Sequence, residues 1–220
     1  MFRIKICGIT RPEDAILAAD AGADAIGLNF YAKSPRCLST AAAAPILAAV
    51  GSRVQKLGVF VNSPAEEVIA TYEKLGLDLV QLHGDEPPDF LQRLGGIPVV
   101  RAFRCGPAGL APIGAYLEAC RVYGCPPRLV LIDAYDPGSY GGTGNVAPWN
   151  AAARFRELRF PYPLILAGGL TPDNVAEAIA QVRPVAVDTA SGVEASPGIK
   201  DAARMRDFIQ RAREAFAALT

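Results

Sequence analysis

Short apolar runs alternate with amphipathic stretches along the whole chain. Eight runs stand out: Arg3–Ile6, Asp24–Asn29, Gln55–Val61, Leu77–Leu82, Pro98–Phe103, Arg128–Ile132, Pro163–Ala167 and Val185–Asp188. They are rich in Val, Ile and Leu, as strands buried on both faces of a parallel sheet are. Helix signals fill the gaps. Thr10 with Glu13 three residues on forms a capping box, and Ser63-Pro64-Ala65-Glu66 repeats that logic with Pro64 at the first helical position. Asp85 and Thr171 are expected to cap two more helices. Val68, Ile69, Tyr72 and Leu75 fall on one face of a helix that Gly76 should end. A last helix, about Asp201 to Ala217, puts Met205, Phe208 and Ile209 on one side. Pro45 predicts a kink or a late start within Ala41–Val50. Pro107, Pro112 and the glycines of Gly106–Gly124 predict a short helix there.

Strand and helix thus alternate eight times, which calls for a parallel sheet with helical crossovers, either open and doubly wound or closed. The 220 residues allow about 27 per unit. That favours closure: an α/β fold, a single (β/α)8 TIM barrel with a parallel eight-stranded sheet, as one domain over residues 1–220. No linker-like stretch divides the chain.

Composition narrows the function classes. Lys plus Arg and Asp plus Glu both number 22, so the formal net charge is zero. A nucleic-acid binder would carry a basic excess. No apolar run is long enough to span a membrane, and the first residues enter a strand rather than a signal peptide. A cytoplasmic protein is the expectation. The five cysteines are scattered without a CxxC pair, which fits reduced thiols better than disulfides or zinc. His83 is the single histidine, so a multi-histidine metal centre is excluded.

In such a barrel, chemistry belongs at the carboxyl ends of the strands and in the loops that follow. Those ends carry Cys7, Asn29, Asn62, His83, Arg104, Asp133, Gly168-Gly169 and Asp188, and the opposite rim shows no such enrichment. The loops after strands seven and eight carry Gly168-Gly169 and Ser191-Gly192, where backbone N–H groups can approach a phosphate. The glycine-rich loop Gly138–Gly144 is either a mobile cover or a connector. It lacks the Lys-Ser/Thr of a nucleotide-binding loop. Cys7 is either a small buried hydrophobe or a base or nucleophile. Asp133 closes four apolar residues, and an acid there is costly to bury unless it is used or paired. Asp136, in the following loop, ranks below it. Arg36 suits a carboxylate or is a solvated loop charge. His83 shares a face with Leu79 and Gln81 and so points inward, as a structural histidine or a substrate contact. Lys5 is expected to be paired inside the barrel, and Trp149 to pack.

Read in order, the motifs carry more. They are Lys5-Ile6-Cys7-Gly8-Ile9-Thr10, Ser34-Pro35-Arg36, Gly58–Asn62, Val80-Gln81-Leu82-His83-Gly84, Asp133, Gly141–Gly144, Leu166–Leu170, Asp188–Glu194 and Pro197-Gly198-Ile199-Lys200-Asp201. Over almost its whole length the chain resembles the phosphoribosylanthranilate isomerases of tryptophan biosynthesis. The resemblance implies a βα barrel that needs no cofactor and takes a small phosphorylated substrate. The reaction would be the Amadori rearrangement of N-(5-phosphoribosyl)anthranilate to 1-(2-carboxyphenylamino)-1-deoxyribulose 5-phosphate. It makes Cys7 the general base and Asp133 the general acid. Arg36 would contact the anthranilate carboxylate, Asp188 the sugar hydroxyls, and the backbone at Gly168, Gly169, Ser191 and Gly192 the phosphate. His83 stands beside these as a candidate substrate contact. Partners other than the substrate are not implied: no nucleic acid, no membrane, and a monomer or homodimer. Two positions depart from the pattern. Ala190 stands where the family carries a serine, and Cys37 where an aromatic residue is more usual. The related isomerase of histidine biosynthesis has an aspartate at the position of Cys7 and a two-half repeat, neither of which is present. A silent sugar-phosphate-binding barrel would need neither Cys7 nor Asp133.

Overall fold

In the computed structural model, which describes residues 2–106, 108–134, 149–158 and 162–219, eight parallel strands close into a barrel. They are β1 (Ile4–Cys7), β2 (Ala25–Asn29), β3 (Gln55–Phe60), β4 (Leu79–Leu82), β5 (Val99–Cys105), β6 (Leu129–Ala134), β7 (Leu164–Leu166) and β8 (Ala186–Thr189). Each expected run overlaps one of them, and closure rather than an open sheet is the outcome. β1 seals the ring against β8, with Lys5 opposite Asp188 in register.

The period of two along each strand sorts the apolar residues. One set, including Phe2, Leu57, Leu79, Val100, Leu131 and Ile165, packs inside the barrel. The other, including Ile4, Ile6, Ile26, Val130 and Leu166, packs outward under the helices. Those helices are α1 (Pro12–Ala21), α2 (Thr40–Val50), α3 (Ala65–Leu75), α4 (Phe90–Arg93), α5 (Ala111–Val122), α6 (Trp149–Ala153), α7 (Val175–Val182) and α8 (Ala202–Ala217). Met205, Phe208 and Ile209 of α8 are buried as expected. Val68 of α3 is buried, with Ile69, Tyr72 and Leu75 packed partly buried beside it. Gly76 ends α3 at φ 57°, a left-handed conformation that suits glycine. Trp149 packs against the outer core.

The helix starts differ from expectation, because tertiary partners claim the capping groups. Arg11, not Thr10, stands at the cap of α1, and the Thr10 hydroxyl donates instead to the Gly198 carbonyl. Pro64 occupies the cap of α3 rather than its first turn, and the side chain there makes no cap. The Asp85 carboxylate takes the Arg104 guanidinium, and α4 begins only after Asp89. Asn174 rather than Thr171 precedes α7, and its Oδ1 accepts from the Thr171 N–H at 2.8 Å. α2 neither starts late nor stops at Pro45; Ser39 caps it, accepting from the Ala42 N–H. α5 is longer than expected, since Pro112 falls in its first turn, where no backbone N–H is required.

After β8 the chain makes a 3-10 turn at Ser191–Val193, then a small antiparallel pair, β9 (Glu194–Ser196) and β10 (Ile199–Lys200). This hairpin folds back beside the end of β1. No helix among the described residues is long and apolar enough to cross a membrane.

Candidate active site

The inward-facing residues nearest the carboxyl ends of the strands form a polar layer over the apolar interior. Lys5 and Cys7 lie two apart on one face of β1, and both side chains pass over Gly27 of β2. A Cβ placed on Gly27 would stand 2.8 Å from Cys7 Sγ and 3.1 Å from Lys5 Cε, so a glycine makes room for the pair. Lys5 is wholly buried, as expected for a paired residue, and its Nζ donates to Asp188 Oδ2 at 2.9 Å. The second Asp188 oxygen, Oδ1, is buried with no hydrogen-bond partner among the described residues. It is therefore ready to accept from a hydroxyl.

Asp133 ends the inward face of β6 and is buried. His83 Nε2 lies 3.2 Å from Asp133 Oδ2, off the line of a hydrogen bond. On the other side of the ring, Gln81 Nε2 stands 3.0 Å from His83 Nδ1. With the amide nitrogen as donor there, the ring proton sits on Nε2 and faces Asp133. His83 thus meets the expected acid rather than standing apart from it.

Charge in this layer is coupled. Burial opposes the charge on Lys5, yet the Asp188 carboxylate and Cys7 outweigh it and hold the ammonium above its usual range. Burial pushes the Cys7 thiol up; Lys5 pulls it down, Asp188 pushes it up again, and the net direction is upward. Burial also raises the Asp188 carboxyl, with Lys5 opposing and Asp133 adding to the rise. Cys7 is accordingly a thiol in the unliganded site, and further positive charge beside it would favour the thiolate.

The expected phosphate loops come together at the ends of β7 and β8. Gly168 and Gly169 turn the chain at φ 86° and 63°. Thr189 Oγ1 donates to the Leu170 carbonyl at 2.7 Å and ties the two loops. A Cβ on Gly192 would fall 1.9 Å from the Leu170 oxygen. Gly192→Ala should therefore force the loops apart, costing about 1–3 kcal/mol in thermal denaturation as overpacking does. It should also raise the KM for a sugar phosphate at least about tenfold. An unchanged KM would remove Gly192 from the phosphate site.

Arg36 is not a solvated loop charge. Its side chain crosses Gly8, where an added Cβ would meet Arg36 Cδ at 2.4 Å, and it is buried beside Cys7. The carboxylate it meets is Glu194: Nε donates to Oε1 at 2.8 Å and Nη2 to Oε2 at 2.6 Å. Glu194 and Lys200 are the functional-looking residues that inspection of strand ends missed. Both lie in the hairpin after β8, where a charge reads as solvated. Of the other strand-end polar residues, Asn29 Oδ1 accepts from Tyr31 N–H, and Asn62 Oδ1 accepts from Asp85 N–H. Asn29 serves its own loop, and Asn62 ties the loop after β3 to the loop after β4. Asp136 and the Gly138–Gly144 loop lie outside the described residues. Among the described residues no cluster of His, Cys, Asp and Glu could hold a metal ion.

A family model for N-(5'phosphoribosyl)anthranilate (PRA) isomerase matches residues 4–211. The chain belongs to this isomerase family. It is 49% identical over 214 residues to the N-(5'-phosphoribosyl)anthranilate isomerase of Geobacter sulfurreducens, covering 97% of this chain and 99% of that one. The crystal structure of phosphoribosyl anthranilate isomerase from Thermotoga maritima superposes with a TM-score of 0.84 at 38% identity, covering 97% of this chain and all of that one. A further isomerase structure, at 37% identity and a TM-score of 0.79 with 97% and 100% coverage, holds reduced 1-(o-carboxyphenylamino)-1-deoxyribulose 5-phosphate.

Proposed function

We propose that this chain catalyses the Amadori rearrangement of N-(5-phosphoribosyl)anthranilate to 1-(2-carboxyphenylamino)-1-deoxyribulose 5-phosphate in tryptophan biosynthesis, by general acid–base catalysis. Asp133 is the acid and Cys7 the base. The observation that carries this reading is one polar layer, in a chain of this family, holding a thiol on β1 and a carboxyl on β6 with Lys5–Asp188 beside them.

Asp133 gives a proton to the furanose ring oxygen. The C1–O bond breaks as the nitrogen lone pair forms an iminium at C1. That cation adds positive charge beside Cys7, which gives up its thiol proton to solvent, and the resulting thiolate removes the proton from C2. The electrons of the C–H bond move into C1–C2 and neutralise the iminium, leaving an enolamine. Protonation at C1 with loss of the C2 hydroxyl proton gives the ketone. Each positioned proton transfer is worth about 10²–10⁴-fold. Asp188 Oδ1 accepts from a sugar hydroxyl, His83 faces Asp133 and borders the substrate, and Arg36 binds the anthranilate carboxylate. The backbone at Gly168, Gly169, Ser191 and Gly192 takes the phosphate. No cofactor enters this scheme.

We place the enzyme in the cytoplasm as one barrel domain, monomer or homodimer; five free thiols support a reducing compartment. The test is growth. The chain should restore a tryptophan auxotroph lacking the isomerase to growth without tryptophan. Failure with well-expressed, folded protein would favour the silent barrel that only binds sugar phosphates.

A further inference from the structure

Glu194 and Lys200 take no part in the proton transfers, yet they are among the most heavily hydrogen-bonded side chains at the rim. Glu194 Oε1 accepts from Arg36 Nε and from Lys200 Nζ, at 2.8 and 2.9 Å, and also from Gly198 N–H at 3.3 Å. Its Oε2 accepts from Arg36 Nη2 at 2.6 Å. The Lys200 ammonium donates further to the Cys7 carbonyl at 2.6 Å and the Ala190 carbonyl at 3.0 Å. One carboxylate and one ammonium thus link the β1 end, the Arg36 loop and the segment that runs into Ser191-Gly192. All three charged side chains are nearly or wholly buried.

This arrangement constrains Arg36. A guanidinium has five N–H donors in a rigid fork. Glu194 takes one edge, Nε and Nη2, in the two-bond geometry that carboxylates favour. Among the described residues no hydrogen bond is made by Nη1. The plane of the group is fixed by the Glu194 side, and the outer edge is what remains for a ligand. The Arg36–Glu194–Lys200 group keeps a single net positive charge.

We propose that Glu194 is a positioning residue that sets specificity for a carboxylate-bearing substrate. By gripping the inner edge of Arg36, it aims the outer edge at one carboxylate beside Cys7. Lys200 holds Glu194 and joins that grip to the backbone of Cys7 and Ala190. This rests on the isomerase reading, since it takes Arg36 as the anthranilate contact.

Charge alone argues the opposite sign. Replacing Glu194 by glutamine leaves two buried cations facing each other and raises the local positive charge, which by itself would draw a carboxylate in more tightly. Positioning predicts weaker binding, because Arg36 loses the partner that orients it and is repelled by Lys200. The experiment measures dissociation constants of two ligands for the native chain and for Glu194→Gln. One ligand is reduced 1-(o-carboxyphenylamino)-1-deoxyribulose 5-phosphate; the other is its counterpart without the ring carboxylate. The native chain should prefer the carboxylated ligand about 100-fold, and Glu194→Gln less than about 10-fold, as loss of a charged hydrogen bond implies. The ligand without the carboxylate should bind both proteins alike, which also shows that the variant is folded. In turnover the same variant should raise KM and leave kcat within about threefold.

An unchanged or increased preference in Glu194→Gln overturns the proposal. If that variant binds neither ligand, Glu194→Asp, which keeps the charge, is measured in its place. It should bind the ligand without the carboxylate as the native chain does and lose part of the preference. Equal losses on both ligands would make Glu194 merely structural and refute the proposal. A native chain that binds neither ligand refutes the isomerase reading, and this inference with it. A native chain that prefers the carboxylate while Glu194→Gln keeps the preference refutes this inference alone.

Discussion

Cys7→Ala and Asp133→Ala should each lower kcat by about 10³-fold or more while leaving the affinity for a product analogue within a few-fold. Each removes one partner of a proton transfer that is worth about 10²–10⁴-fold, and groups acting in sequence cannot replace each other. The ground-state contacts stay: Arg36 remains held by Glu194, and the phosphate loops remain tied through Thr189 and Leu170. The pH profile of the native protein adds a second readout. Burial raises the Cys7 thiol above its ordinary value. As a base Cys7 must lose its proton, which in the free site it does only as the pH climbs past that raised value. The rise of kcat/KM with pH should therefore extend above about 8.5, the ordinary thiol range. It should disappear from the residual activity of Cys7→Ala. Turnover near the native rate in either variant would end the acid–base assignment.

Lys5→Met should destabilise the folded chain by about 3–5 kcal/mol. Lys5 has no exposed surface, and its ammonium is the counter-charge of Asp188 at 2.9 Å. Removing it strands a buried carboxylate beside a second one, Asp133, which already raises the Asp188 carboxyl. Breaking one side of a buried pair costs this much because the other charge is left uncompensated. In a chain of this length the midpoint of thermal unfolding should fall by about 10 °C. Asp188→Asn in the same chain should recover a large part of the loss, since it removes the stranded charge. The double variant measured by thermal denaturation is the check. A Lys5→Met protein as stable as the native one would show that the pair contributes nothing net. Lys5→Met should also leave Cys7 less reactive toward iodoacetamide at a given pH, because Lys5 pulls the thiol down more than Lys200 does.

The sequence by itself determined the order of elements and the chemistry of the reactive rim. Short continuous apolar runs can be buried only in a sheet covered on both faces. Eight of them with amphipathic crossovers leave little choice of architecture. Because strand ends in such a barrel are reactive positions, Cys7, His83, Asp133 and Asp188 were legible as candidates before any contact was known. Family motifs were needed to give Cys7 a role, since a cysteine beside a glycine reads equally well as packing.

What only the tertiary structure decided is who holds whom. Lys5 meets Asp188 because the barrel closes β1 against β8, bringing together residues 183 apart in the chain. Arg36 meets Glu194 across 158 positions because the hairpin after β8 folds back over the end of β1. Local capping rules failed for the same reason. A threonine hydroxyl or an aspartate near a helix start has a local partner worth about 1 kcal/mol, and a distant carbonyl or guanidinium competes on equal terms once the chain closes. Thr10 goes to Gly198 and Asp85 to Arg104. Period and strand order are properties of neighbouring residues and survive without the fold. Pairing of buried charge is a property of closure, and no stretch of sequence contains it.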